Sequence, residues 1–183
     1  MHISGHASPH PPSERTAGIC SIWVASDHAG FTLKKQVLAR LSRPERAQER
    51  AERSLPREQL HDLGPASEAR VDYPDLAWPL TEQVAAALDS GEAARGILIC
   101  GTGIGVSLVA NRHPQIRAAL AHNLFTAEMA RRHNDAQILC LGARVIGSDL
   151  ALAMVELFLD TPFEGGRHAT RLERLQALYP TSS

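Results

Sequence analysis

Aromatic residues make up only 4% of this 183-residue chain, too few for the stacked-base platforms of single-stranded nucleic-acid binding. An excess of charge is missing too. Lys and Arg number 19 and Asp and Glu 20, a formal net charge of −1, so no overall field draws in a polyanion. A bound anion must therefore be small and locally held. The three cysteines, Cys20, Cys100 and Cys140, stand far apart with no Cys-x-x-Cys pair, which argues against a disulfide framework or zinc knuckle and for a reducing cytoplasm. No apolar run approaches the ~18 residues of a membrane span. The opening MHISGHASPHPPSERTAG carries no apolar core of a secretory signal. A soluble, cytoplasmic protein without nucleic-acid or membrane partners is expected.

What is present is ordinary globular material, 44% hydrophobic and 21% charged, at a length that fits one domain. Residues 1–20 read as a Pro-, Ser-, His- and Gly-rich tail, and residues 21–183 as the domain with a C-terminal helix. His2, His6 and His10 recur every four residues, but the intervening Gly and Pro residues argue against a helix that would make them metal ligands. Ile22–Ala25 reads as a buried strand, followed by a helix over Phe31–Leu41. The stretch Ser42–Arg57 is charged. Six arginines fall from Arg40 to Arg57 among Glu45, Glu49 and Glu52, the pattern of a solvated helix extension or loop. Gln59–Leu63 is a weak strand. Leu76, Leu80, Val84 and Leu88 mark a helix, Gly96–Cys100 a strong strand, and Ile104–Ala110 a short helix. Strands follow at Ala118–Ala121 and Ile138–Leu141 around a helix at Thr126–Arg132. Ser148 reads as the cap of a helix carrying Leu150, Met154 and Phe158, and a last helix covers Arg167–Leu178. This alternation predicts a single-domain, Rossmann-like three-layer α/β/α sandwich on a five-stranded parallel sheet, with ligands beyond the carboxyl ends of the strands.

Chemistry concentrates at a few positions. Cys100 ends a strand just before the loop Gly101-Thr102-Gly103-Ile104-Gly105 and a helix N-terminus, where amides favour a thiolate. A small buried hydrophobe is the equal alternative on position alone. The loop lets amides approach a small anion. Its G-x-G-x-G spacing is not a dinucleotide fingerprint, and no acid ends the next strand, which closes on Ala121-His122-Asn123. His133 suits a helix C-cap as well as a catalytic role. Arg144, Arg167, His168 and Arg171 form a late basic set. Arg167 and Arg171, four apart, serve equally as a phosphate clamp or an exposed helix face. No spacing suggests a metal site. A thiol, a histidine, a threonine, an anion loop and arginines suit proton transfer beside a carbonyl on a phosphorylated substrate, without metal or cofactor.

Five segments occur in order: Ser26-Asp27-His28-Ala29-Gly30, Val71-Asp72-Tyr73-Pro74, Gly96 to Gly105, His133-Asn134-Asp135, and Glu164-Gly165-Gly166-Arg167-His168. Together they closely resemble the ribose-5-phosphate isomerase B family, which also contains galactose-6-phosphate isomerase subunits. The resemblance runs from about Ile22 to Leu175. It implies an aldose–ketose isomerase with Cys100 as the base between C1 and C2 and Thr102 assisting exchange between the substrate oxygens. The amides of Gly101, Gly103, Ile104 and Gly105, with Asn134, would stabilise an enediolate. His133 with Asp27 would open the sugar ring. Tyr73 would line the substrate, and His28, Arg144, Arg167 and Arg171 would hold the phosphate. It also implies a homodimer with sites at the subunit interface, a tetramer being the higher assembly left open. Ribose 5-phosphate is the expected substrate, with four- or six-carbon sugar phosphates as alternatives on the same chemistry. A non-catalytic sugar-phosphate sensor would need neither Cys100 nor His133, and a nucleotide-binding module lacks its acid. Two stretches depart from the family pattern: Ser42–Arg57 looks longer than usual, and Tyr73 to Cys100 about one helical turn longer.

Overall fold

A computed structural model describes residues 19–54 and 57–178. Residues 1–18 of the expected tail lie outside the described residues. Strand β1 (Ile19–Ser26) already includes Ile19 and Cys20, which the sequence assigns to the tail; their partners Arg57 and Glu58 on the next strand draw them into the sheet. A 3-10 turn at His28–Gly30 leads into α1 (Phe31–Leu41) and then α2 (Pro44–Glu52). Strand β2 (Arg57–Asp62) is followed by α3 (Tyr73–Asp89), β3 (Ala93–Cys100) and α4 (Ile104–Ala110). The chain continues through β4 (Ala118–Leu120), α5 (Leu124–Arg132), β5 (Ile138–Gly142), α6 (Ser148–Asp160) and α7 (Arg167–Gln176).

The five strands are all parallel, in the order β2-β1-β3-β5-β4. Both faces are covered. Ile22, Val24, Ile97, Ile99, Leu139 and Leu141 pack against α1, α5 and α6. Trp23, Ala25, Leu98, Ile138 and Cys140 point the other way, toward α3 and α4. Alternation of side chains explains the near-continuous apolar runs of the inner strands: β1, β3 and β5 each feed two cores at once, whereas the edge strand β2 is polar apart from Leu60. The β1-to-β2 connection runs over one face and the β2-to-β3 connection, through α3, over the other. The crevice between the carboxyl ends of β1 and β3 is therefore a topological switch point, where ligands enter open α/β sheets.

The arginine-rich stretch corrects the sequence expectation. It is neither a loop nor a solvated extension of α1, but a separate helix, α2, with Arg46 and Arg50 buried. Arg46 Nε and Nη2 donate to the Glu58 carboxylate at 2.7 and 2.6 Å. Arg50 pairs with Glu58 at 3.1 Å and also with Asp160. These carboxylates come from β2 and from the last residue of α6, so local charge patterning could not show them. Arg40 adds a two-toothed bond to Glu156 on α6, at 2.7 and 2.8 Å. Burial alone would raise the Glu156 carboxyl, but Arg40, then Arg46 and Arg43, hold it below its ordinary value. Ion pairs with α6 and β2 thus fasten a helix that has no apolar face.

Smaller differences have local causes. Gly147 takes the N-cap position of α6, so Ser148 is its first helical residue, not its cap. Helix α5 begins two residues early because Asn123 caps it, its Oδ1 accepting from Thr126 N–H at 2.8 Å. Helix α7 ends at Gln176 rather than Leu178.

Candidate active site

The carboxyl ends of β1 and β3 hold the first group of expected residues. Asp27 leaves β1 in extended conformation, and its Oδ1 accepts from the Ala29 and Gly30 amides at 2.9 and 3.0 Å. This fixes the turn that presents His28, whose Nδ1 lies 3.2 Å from the Val71 carbonyl. Buried Lys34 braces the same corner, donating to Asp62 at 2.5 Å and to the Pro65 carbonyl at 2.8 Å. Two residues on from Val71, Tyr73 opens α3 and lays its ring against Gly105. A Cβ there would stand 2.8 Å from Tyr73 Cζ, so only glycine leaves room for the ring.

Cys100 is buried at the last position of β3. The Gly103 amide donates to its Sγ at 3.1 Å, and a bond of this kind strengthens as charge builds on sulfur. Gly103 has φ +78°, and a Cβ would meet Leu120 Cδ1 at 2.5 Å and the Leu141 carbonyl carbon at 2.9 Å. The left-handed turn and the contact with β5 both demand glycine. Thr102 is exposed, its hydroxyl accepting from the Ile104 amide at 3.3 Å. Arg144, in the turn after β5, lies across Gly101, its side-chain atoms 3.6 Å from where a Cβ would be. Cys140 differs from Cys100: wholly buried, its thiol is pushed far up by desolvation, then by Cys100, and it behaves as neutral core.

The second group sits elsewhere. His133 occupies the C-cap of α5, its amide donating to Met129 O at 2.9 Å, so the capping reading of its backbone is right. Asn134 and Asp135 follow. Asp135 holds φ +42°, a conformation rare for a side-chain-bearing residue, and its carboxylate is clamped by Arg117 at 3.0 Å and Arg131 at 2.8 Å. The connection from α6 to α7 folds onto this corner, with the Glu164 amide donating to the Arg132 carbonyl at 3.0 Å. There His168 stacks on His133, ring centroids 4.1 Å apart and planes 5° from parallel. Arg167 and Arg171 are exposed on α7 beside them.

Glu164 and His168 belong to this cluster, although spacing gave no sign of it. Glu164 Oε2 is 3.7 Å from His133 Nε2 and 3.6 Å from His168 Nε2, and Arg132 Nε donates to Oε1 at 2.5 Å. Arg132, aided by the two histidines, holds the Glu164 carboxyl below its usual range. Burial, then His133, Arg167 and Arg171, pull His168 down. The ligand atoms of His133, Glu164 and His168 lie within 4.8 Å of one another, close enough to suggest a metal. The two rings, however, are stacked 5° from parallel, and Arg132 already donates to Glu164 Oε1. As arranged, the two imidazoles gather about a carboxylate that Arg132 already pairs.

The two groups lie at opposite ends of the sheet. Cys100 is in register with Gly142 at the end of β5, whereas His133 precedes the start of β5, where Ile138 pairs with Gly96. The length of β5 alone, at ~3.3 Å per residue, puts them roughly 13 Å or more apart. Within one chain, then, Asp27, His28, Tyr73, Cys100, Thr102, the glycine loop and Arg144 are gathered, while His133, Asn134, Arg167 and Arg171 are not brought to them.

A parallel sheet with a thiol and an amide-lined loop at its switch point, and separate arginines, defines an α/β enzyme for a small anionic metabolite. The comparisons make this specific. The Ribose/Galactose Isomerase family model matches residues 22–175. Ribose-5-phosphate isomerase B of Escherichia coli strain K12 is 40% identical over 152 residues, covering 83% of this chain and 91% of that one. The structure of ribose-5-phosphate isomerase B from Clostridium thermocellum is 43% identical with a TM-score of 0.71, covering 86% of this chain and 96% of that one. The Mycoplasma genitalium ribose-5-phosphate isomerase B, solved with bound ribulose 5-phosphate, is 34% identical with a TM-score of 0.70, covering 87% and 95%. The chain belongs to the ribose/galactose isomerase family. It is a sugar-phosphate isomerase, an enzyme of the aldose–ketose type. No helix among the described residues is long and apolar enough to cross a membrane.

Proposed function

We propose that this enzyme interconverts ribose 5-phosphate and ribulose 5-phosphate as a homodimer, without cofactor, in a reducing cytoplasm. Each site combines the Cys100 group of one subunit with the His133 group of its partner. Arg167 and Arg171, with His28 and Arg144, hold the phosphate. His133 gives a proton to the ring oxygen O4 as the C1–O4 bond breaks onto that oxygen. Asp27 takes the O1 proton, leaving an open-chain aldehyde. The Cys100 thiolate then removes the C2 proton. The C2–H electron pair forms the C1=C2 bond, and the carbonyl pair moves onto O1. The amides of Gly101, Gly103, Ile104 and Gly105, with Asn134, hold the resulting enediolate. Thr102 passes a proton from O2 to O1, and Cys100 returns its proton to C1, giving the ketose. Tyr73 lines the cleft beside Gly105.

The observation that carries this reading is Cys100 itself, the end of a core strand at the switch point with an amide 3.1 Å from its sulfur. The separation of the two groups supports the dimer, because neither group alone has both a base and a ring opener. Ile104 and Leu108 are 53% and 64% exposed, one turn apart on α4 beside the Cys100 loop, an apolar edge suited to a second copy. The test is Cys100→Ala, expected to lower kcat by roughly 10²–10⁴ with sugar-phosphate affinity retained. Iodoacetamide should inactivate the native enzyme and substrate should protect it. Full activity in the variant would refute the assignment. Turnover compared across four-, five- and six-carbon aldose phosphates checks the sugar.

A further inference from the structure

The cluster around His133 contains a buried histidine that the proposed mechanism does not use. His168 is 5% exposed. One face of its ring covers the face of His133 at 4.1 Å. Its Nε2 lies 3.4 Å from Arg167 Nε, which donates to it. An arginine has no lone pair to offer, so Nε2 must be the acceptor and the ring proton resides on Nδ1. In that bond His168 is the acceptor; burial, then His133, Arg167 and Arg171, lower its proton affinity, and Glu164 opposes them. Arg167 uses Nε for this bond, which leaves its terminal nitrogens for an anion.

We propose that His168 is a positioning residue that joins the phosphate anchor to the ring opener, its ring face setting the plane of His133 and its Nε2 setting the reach of Arg167. This rests on the roles given above to His133 and Arg167. The arrangement matters because the sugar is gripped at one end, its phosphate, and protonated several bonds away at the ring oxygen. A fixed spacing between the two protein groups converts phosphate binding into alignment of the acid, and misplacement by ~1 Å can cost ~10²-fold in rate. Glu164 completes the frame from the other side. Its carboxylate, held by Arg132, faces both Nε2 atoms at 3.6 and 3.7 Å, so His133 is bounded by a ring on its face and a charge at its edge.

The two contacts of His168 can be removed separately. His168→Phe keeps a flat ring against His133 but has no acceptor for Arg167. His168→Gln keeps an acceptor but no ring. On ribose 5-phosphate, His168→Phe should raise KM several-fold with kcat near that of the native enzyme. His168→Gln should lower kcat by roughly 10²-fold with little change in KM. A second readout isolates the step. Ribulose 5-phosphate has its O5 esterified and stays open-chain, so deuterium exchange at C1 in heavy water, followed by proton NMR, needs Cys100 but no ring opening. That exchange should survive in His168→Gln and vanish in Cys100→Ala. Equal losses of turnover and exchange in His168→Gln, or matching changes of KM and kcat in both variants, would overturn the positioning role. The parent reading fails differently: native enzyme without exchange, or His133→Ala losing exchange and turnover alike.

Discussion

If each site takes Cys100 from one chain and His133 from the other, two inactive variants should rebuild an active enzyme when mixed. Consider Cys100→Ala and His133→Ala, each inactive alone, mixed in equal amounts and allowed to exchange subunits. Half of the dimers are then mixed. In each mixed dimer one site pairs the intact Cys100 of one chain with the intact His133 of the other, and the second site carries both lesions. The recovered activity should be about one quarter of the native value per chain, given two equivalent sites related by a twofold axis. A companion mixture makes the test stricter. Native chains mixed equally with the doubly substituted chain give mixed dimers in which every site lacks one group, so about one quarter of the native activity remains, from native dimers alone. If both groups came from one chain, the first mixture would recover nothing and the second would retain half. The structure favours the shared arrangement because an intrachain site would have to close the length of β5, from the Ile138–Gly96 pair to the Gly142–Cys100 pair. Subunit exchange is followed by coexpressing differently tagged chains and assaying the doubly purified species. No recovery in verified mixed dimers would refute the shared site.

Other consequences are simpler to measure. Arg167→Ala and Arg171→Ala should each raise KM, by an amount worth roughly 1.5–3 kcal/mol for a charged hydrogen bond, and an unchanged KM in steady-state kinetics would return both to an exposed helix face. Asp160→Ala strips the buried Arg46 and Arg50 of a shared partner, and should cost about 3–5 kcal/mol in urea unfolding, whereas a loss below 1 kcal/mol would mean that α2 is not fastened this way. The Glu156 carboxyl is held below its ordinary value of 4.5 by Arg40, Arg46 and Arg43 against the opposing effect of burial. A depressed carboxyl stabilises the fold above its unfolded value and loses that contribution as pH falls through its folded value, so the melting temperature should drop below about pH 4.5, and Glu156→Gln should flatten that drop.

The sheet was legible because four of its strands are apolar runs closed by small or polar residues, and two of them, β1 and β3, frame the ligand crevice; β2 is polar apart from Leu60 and reads only weakly. Cys100, the glycine loop, Asp27 and His28 were legible as a site for the same reason: strand ends in a parallel sheet converge. Helix α2 was not. Its buried side chains are arginines, and what makes their burial tolerable is Glu58 on β2 and Asp160 on α6, 114 and 110 residues from Arg46 and Arg50 in the case of Asp160. Reading charge locally, one sees arginines alternating with glutamates and assigns them to water. The clustering of Glu164 and His168 with His133 was hidden for a related reason. Glu164 sits in the glycine-rich connection and His168 in the first turn of α7, and the path of that connection over the end of α5 is set by one backbone bond, Glu164 N–H to Arg132 O.

The placement of the candidate residues at two ends of the sheet was readable in principle. In a parallel α/β unit, a residue directly after a strand lies at the carboxyl edge, and a residue between a helix and the next strand lies at the amino edge. Cys100 ends β3, and His133 stands between α5 and β5. Their positions in the element order place Cys100 and His133 on opposite edges of a layer a strand-length thick. Motifs in sequence order carry chemistry but not side. The same count assigns Asp27 and Arg144 to the edge of Cys100, and Arg167 to that of His133, because the Glu164–Arg132 bond ties its loop there. An isomerase that must open a ring and move a proton then has two options: fold one edge over the other, or present each to a second copy. A five-stranded sheet with helices packed on both faces disfavours the first, which is why the proposed site takes its second edge from a second copy.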